Sequence, residues 1–353
     1  MKRFIALALI AVAVLLTVGF FSLPTYIAKR ANAVLATSPI PVRPAAQDLH
    51  QRLWIADLHA DALLWNRDLL VRGDYGHVDL PRLREGNVAL QIFSTVTKVP
   101  WRQVREGSPG DNADLIGLLA LAQRWPAKTW LSPLERARHQ AWRLRETAER
   151  SGGALKVVLT QEDLKALLKA RKSGVDVTGG LLATEGSHAL EGQLRNITTL
   201  YEDGFRMMSL QHFFDNRLGG ALSGESGEGL TPFGRSAVLE MQRLDIIIDV
   251  AHSSPAVVED VLAISKNPVV VSHTGLYGAC ASARNLSDAQ MKRITERGGL
   301  VGIGFWESAI CDPTPAGVVR AIRVGIDLLG EDHVALGSDF DGSVRTHFDT
   351  SQL

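Results

Sequence analysis

The chain has 353 residues, 46% hydrophobic and 22% charged, a globular balance that excludes wholesale disorder. Lys plus Arg and Asp plus Glu number 38 each, so there is no cationic surplus for a phosphate backbone and no nucleic-acid partner is expected. Two cysteines, Cys280 and Cys311, are too few for a disulfide framework and read as packing residues.

At the N-terminus, Lys2 and Arg3 precede an uncharged stretch, 4–23, in which only Thr17 and Ser22 are polar. At ~1.5 Å per residue this stretch can cross a ~30 Å hydrocarbon layer. A cleaved export signal is the alternative, but its apolar region spans only about 7–15 residues, and the small-residue site Ala31-Asn32-Ala33 lies beyond Lys29 and Arg30. Residues 1–36 are therefore expected to be a signal or transmembrane anchor. Positive residues flank both of its ends, so the orientation rests on the order of parts, a short basic start and then a large exported domain. That order places the domain outside the cytoplasm, anchored, or secreted if the segment is cleaved. Pro39, Pro41 and Pro44 make 37–46 an extended linker, and the main domain is expected over 47–353.

From there, short apolar runs alternate with helical segments. Strands are expected at 53–59, 87–96, 180–185, 205–210, 245–250, 268–273, 299–305 and 333–339. Runs such as Ile246-Ile247-Ile248 and Val269-Val270-Val271 are continuous rather than alternating, as in parallel strands buried on both faces. Helices are expected at 160–172, with Thr160 as N-cap, and at 234–244 and 287–297. Eight strands alternating with helices point to an α/β fold, a (β/α)8 TIM-like barrel. One long insertion, 97–179, carries expected helices at 111–125 and 133–150 and an extra strand near 155–160. It is either a partial cover over the mouth or a peripheral decoration.

The polar residues that end the runs carry the chemistry. They are Asp57-Leu58-His59-Ala60-Asp61, Thr184-Glu185-Gly186, Leu210-Gln211-His212, Asp249-Val250-Ala251-His252, Ser272-His273 and Gly337-Ser338-Asp339. In a parallel barrel these ends share one mouth. His59 and Asp61, two apart on a strand, point the same way and can grip one cation. Imidazole and carboxylate suit Zn²⁺, and a carboxylate such as Glu185 can bridge two metals ~3.5–4 Å apart, with His252 and His273 on the second. A water shared by both cations would be deprotonated at neutral pH and act as nucleophile. Any single strand-end histidine is an ordinary buried residue; the joint set is what points to a metal.

These stretches resemble the membrane (renal) dipeptidase family, zinc peptidases of the amidohydrolase superfamily. The likeness runs through nearly all of 56–342, including Val78-Asp79-Leu80-Pro81-Arg82-Leu83, Glu185-Gly186-Ser187-His188-Ala189-Leu190, Ala283-Arg284-Asn285-Leu286-Ser287-Asp288 and Gly337-Ser338-Asp339-Phe340-Asp341-Gly342. The resemblance implies a binuclear zinc barrel of the metal-dependent hydrolase type that cleaves dipeptides, including those with a C-terminal D-residue. Residue by residue, it implies His59 and Asp61 on one Zn²⁺, His252 and His273 on the other, and Glu185 bridging. Asp339 matches the acid/base, His212 the oxyanion-stabilising and substrate-contacting residue, and Arg284 the arginine that binds the dipeptide carboxylate. Family members are often homodimers.

Two departures, Gln211 and Ser187, remove no ligand and are expected to adjust local packing only. After Asp339 the chain runs only to Leu353, where family members continue with further helices, so an open barrel edge and poor stability are expected. Two alternatives to the dipeptidase stand beside it. One is another amidohydrolase reaction, on N-acyl amino acids or β-lactams. The other is a catalytically silent barrel, for which loss of Asp339 or a ligand would be the mark; none is lost.

Overall fold

A computed structural model describes residues 1–36, 41–100 and 114–353. Among these the strands are β1 (Ile55–Ala60), β2 (Val88–Val96), β3 (Leu155–Val157), β4 (Thr178–Glu185), β5 (Phe205–Ser209), β6 (Ile247–Asp249), β7 (Val270–Thr274), β8 (Leu300–Ile303) and β9 (Val334–Leu336). All pair in parallel, in the order β2-β1-β9-β8-β7-β6-β5-β4, and β2 pairs β4 to close the ring. This is the expected eight-stranded barrel. The expected extra strand is β3, which takes the edge of β4 at Thr178–Gly180 below the point where β5 takes over at Leu182.

The helices are α1 (Lys2–Ala31), α2 (Pro44–His50), α3 (Leu80–Glu85), α4 (Leu115–Ala122), α5 (Pro133–Arg150), α6 (Gln161–Lys172), α7 (Arg195–Glu202), α8 (Pro232–Arg243), α9 (Pro255–Ile264), α10 (Asp288–Glu296), α11 (Glu307–Ile310) and α12 (Pro315–Leu329). Four of them, α5, α8, α9 and α12, begin with Ser or Thr followed by Pro. In each the hydroxyl accepts from a backbone N–H of the first turn, and proline fills the position whose N–H has no partner. Thr160 caps α6 as expected, and Asp163 accepts in return from the Thr160 backbone, which completes a reciprocal capping box. The packed apolar side chains of strands and helices, such as Leu182, Phe205, Ile248 and Val301, form one continuous core.

Three expectations need correction. The 37–46 segment is not extended throughout: Pro44 starts α2, while 37–40 lie outside the described residues. No open barrel edge results, because Asp57 of β1 pairs Leu336 of β9 and Phe340 and Phe348 join the core beyond it. The cysteines are not simple packing residues: Cys280 and Cys311 form a disulfide, Cα atoms 5.6 Å apart. Their loops follow β7 and β8, neighbours in the ring, so a separation of 31 residues in sequence becomes adjacency in space. The first part of the expected 111–125 helix, like 101–113 of the insertion, lies outside the described residues; α4 starts at Leu115 with Asp114 as its cap.

Candidate active site

Parallel strands deliver their C-terminal ends to one pole, and the site is assembled there. His59 lies in β1 with Asp61 just past it, Glu185 ends β4, and His273 is within β7. His212, His252 and Asp339 each follow their strand by three residues. All are buried. The structure thus brings together every metal ligand suggested by the sequence, with His212 and Asp339 in the same cluster.

Glu185 Oε1 is the hub. His252 Nε2 is 3.1 Å away, His212 and His273 Nε2 are each 3.3 Å away, and His59 Nε2 is 3.7 Å away. His59 Nε2 also faces Asp61 Oδ1 at 3.6 Å and Asp339 Oδ1 at 4.0 Å. Three triplets have donor atoms within 4.8 Å of one another: His59–Asp61–Glu185, Glu185–His212–His252 and His59–His273–Asp339.

The electrostatics of this cluster fit a cation. Burial pushes Asp339 up to about 8, and Glu185 is raised by burial and by the neighbouring Asp61. Burial would lower His59, but Asp61, Glu185 and Asp339 together raise it to about 10. Burial lowers His212, His252 and His273, keeping them neutral. Crowded buried carboxylates facing neutral imidazoles need positive charge among them. His59 Nε2 and Asp61 Oδ1 are moreover buried without a hydrogen-bond partner among the described residues, a state rare for polar atoms unless something else satisfies them. The N and O donor set suits a divalent metal.

The far side of the imidazoles sets their tautomer. Ser272 Oγ donates to Asp249 Oδ2 at 2.6 Å and lies 2.9 Å from His273 Nδ1 and 3.3 Å from His59 Nδ1. Its one proton is committed to Asp249, so it accepts from both Nδ1–H groups. His273 Nε2 then faces Glu185 with its lone pair, and His59 Nε2 does so once a cation takes the place of its proton. Asp57 instead ties β1 to its neighbours, accepting from Ser338 N and Ser338 Oγ just past β9 and from Gln91 Nε2 of β2.

Asp339 sits on an unusual turn in which Asp339, Asp341 and Ser343 all have positive φ (59°, 64° and 62°). Asp341 holds it: its carboxylate accepts from His77 N, Val78 N and the Arg67 guanidinium, and its carbonyl accepts from Trp65 Nε1. Burial would raise Asp341, but Arg67 and His77 hold it down at about 2. Gly342 is required by close approach, since a Cβ there would lie 2.0 Å from Asp339 Oδ1.

Arg284 leans into the cluster, with Nη2 donating to His273 O at 3.0 Å and 3.1 Å from His252 Nε2; the Trp306 ring lies 5.4 Å away. The Cys280–Cys311 disulfide ties its loop to the chain just past α11. The cavity, about 350 Å³, is lined by Asp61, Glu185, His212, His252, Arg284 and Asp339, with Val99 of the long insertion at its wall. The departures are local: Ser187 Oγ donates to Ser209 O, and Gln211 Oε1 accepts from Ser253 Oγ. Sequence reasoning assigned no role to Asp57, Asp249, Ser272, Ser338 or Asp341. Their one sequence signal is position: polar residues inside or just past otherwise apolar runs.

A family model described as membrane dipeptidase, peptidase family M19, matches residues 43–350. An uncharacterized dipeptidase of Schizosaccharomyces pombe is 33% identical over 170 residues, 46% of this chain and 41% of that protein. Two solved structures are 26% identical. One is a dipeptidase described as a metallopeptidase of family M19, with TM-score 0.69, covering 85% of this chain and 89% of its own. The other is a Rhodobacter sphaeroides metallopeptidase liganded with a phosphinate mimic of the dipeptide L-Ala-D-Ala, with TM-score 0.68 and coverage of 85% and 90%.

Proposed function

This chain belongs to the membrane dipeptidase family, peptidase family M19, and from that premise we propose that it cleaves dipeptides, including those with a C-terminal D-residue, at a two-zinc centre. His59, Asp61 and Glu185 would hold one zinc, and Glu185, His252 and His273 would hold the other. The observation that carries the reading is the convergence of four imidazole Nε2 atoms on Glu185 Oε1. The D-residue is supported by the L-Ala-D-Ala mimic bound in the Rhodobacter structure. The metals supply Lewis acidity and an activated water.

The chain's own groups do the rest. Asp339, restored to a carboxylate by nearby cations, takes a proton from the attacking water and returns it to the leaving amine. His212, buried with its Nε2 in the cluster beside Glu185, contacts the oxygen that becomes negative. Arg284, with Trp306 at its side, binds the substrate's free carboxylate through its planar fork.

α1 is long and apolar enough to cross a membrane. Together with the disulfide, which persists in oxidising compartments, it supports an anchored enzyme with its barrel outside the cytoplasm. A homodimer is proposed on the family habit alone.

The test is metal content and Gly-D-Ala hydrolysis on the full chain in detergent, with Asp339→Asn beside it. The reading expects roughly two zinc per chain and a turnover lost by about 10²–10⁴-fold in the variant. One zinc per chain would overturn the binuclear centre. Faster cleavage of an N-acetylated amino acid would overturn the substrate.

A further inference from the structure

Most of α1 projects from the barrel, exposed, but Pro24 and Ala28 are buried against it. The place where they dock is the catalytic pole. Ala28 belongs to the same apolar cluster as Leu64, Val96 and Val99, which line the active-site cavity. Just past the helix, buried Asn32 accepts from Ser343 N at 2.8 Å, and the next residues exchange backbone hydrogen bonds with Thr346 (Leu35 N to Thr346 O, 2.7 Å; Thr346 N to Ala33 O, 3.3 Å). Ser343 and Val344 are part of the cavity rim. The docked stretch Pro24–Ala31 is only about 12 Å of helix, so a bilayer around 4–23 ends close to that rim.

A second element faces the same way. α4 reads Leu-Ile-Gly-Leu-Leu-Ala-Leu-Ala, without one polar side chain. Ile116, Ala120 and Ala122 point inward, Leu115, Leu119 and Leu121 are half-buried, and Leu118 is 49% exposed. The end of α4 lies against α1, with the Arg124 guanidinium 4.6 Å from the Phe21 ring. Where α1 leaves its apolar stretch, Tyr26 is exposed and accepts from Arg30 Nη1 at 2.9 Å, and Lys29 pairs with Asp74. Aromatic rings and basic heads beside an apolar surface are the composition of a membrane–water interface, and the cations favour anionic lipid.

We propose that α4 and the last two turns of α1 form one membrane-seated surface that holds the catalytic mouth against an anionic bilayer. The surface rests on the anchored reading of α1 and extends it: the anchor sets which face of the barrel meets the lipid. The cavity therefore opens beside the membrane rather than away from it, and collects dipeptides at the lipid surface.

The full chain is reconstituted into vesicles of phosphatidylethanolamine and phosphatidylglycerol, with an environment-sensitive fluorophore on Leu118→Cys or, as control, on Val175→Cys. Val175 is exposed in the turn before β4, at the opposite pole. Equal Gly-D-Ala turnover in both labelled chains shows that the fold is kept. The expected result is a blue-shifted emission at 118 that is quenched by nitroxide-labelled lipid, with neither effect at 175. A blue shift at 118 without lipid quenching would mean that protein, such as a second copy of this chain, covers α4, and would overturn the proposal. Emission at 118 matching that at 175 would overturn it too, while leaving the anchor intact. Release of the chain from the vesicles by alkaline carbonate would instead refute the anchor, and this surface with it.

Discussion

Ser272 shows how one hydroxyl can decide the chemistry of two histidines. By donating to Asp249 it must accept from His59 and His273, which turns their Nε2 atoms towards Glu185. Ser272→Ala removes that acceptor, and metal affinity should fall about 10–100-fold, read by competition with a chelator, while the unpaired Asp249 Oδ2 also lowers the Tm of the metal-free protein. Asp341 acts at one remove from the site, holding the left-handed turn that carries Asp339. Its pKa of about 2 lies below the ~3.9 of an unfolded chain, so its stabilisation of about 2–3 kcal/mol is present above pH ~4 and fades as pH falls towards 2. Asp341→Asn should therefore melt well below the parent protein at neutral pH, and the gap should close between pH 4 and 2. An equal gap at every pH would mean that the carboxylate's charge is not what holds the turn.

Among the elements, the loops after β7 and β8 form a functional pair. The disulfide joins the loop that carries Arg284 to the chain past α11, on the far side of Trp306. With both cysteines changed to serine, Arg284 loses its tether, and KM for a dipeptide should rise more than kcat falls. Stability should drop by about 2–4 kcal/mol, measured by denaturant unfolding. A fall in kcat with KM unchanged would assign the disulfide to the metal cluster instead. Elements differ in how well local sequence announces them. Ser-Pro and Thr-Pro starts and the Thr160–Asp163 box mark helices directly, because caps are made within one turn. α2 was masked by prolines that also suit an extended chain, although Pro44 in fact occupies the first helical position.

For the whole molecule, the site and the core share the same strands, so metal binding and folding are coupled. Ligand that binds only the folded state stabilises it by about 4 kcal/mol at a thousand-fold excess over Kd. Chelation should lower Tm in a calorimetric scan, with the loss restored by added Zn²⁺; an unchanged Tm would mean that the carboxylate–imidazole cluster carries no metal in solution.

The barrel and the residues at its mouth are legible in the amino-acid sequence alone. Continuous apolar runs mark buried parallel strands, all such strands end at one pole, and a two-residue spacing puts His59 and Asp61 on the same side. That Cys280 meets Cys311, that Asp341 reaches the backbone of His77 and Val78, and that Asn32 holds Ser343 emerges only in the folded molecule. These contacts join segments far apart in the chain, up to 311 residues for Asn32 and Ser343, and no local period or spacing encodes which distant loop will lie across from which. The ring of strands brings them together, and each pairing exists only once that ring has closed.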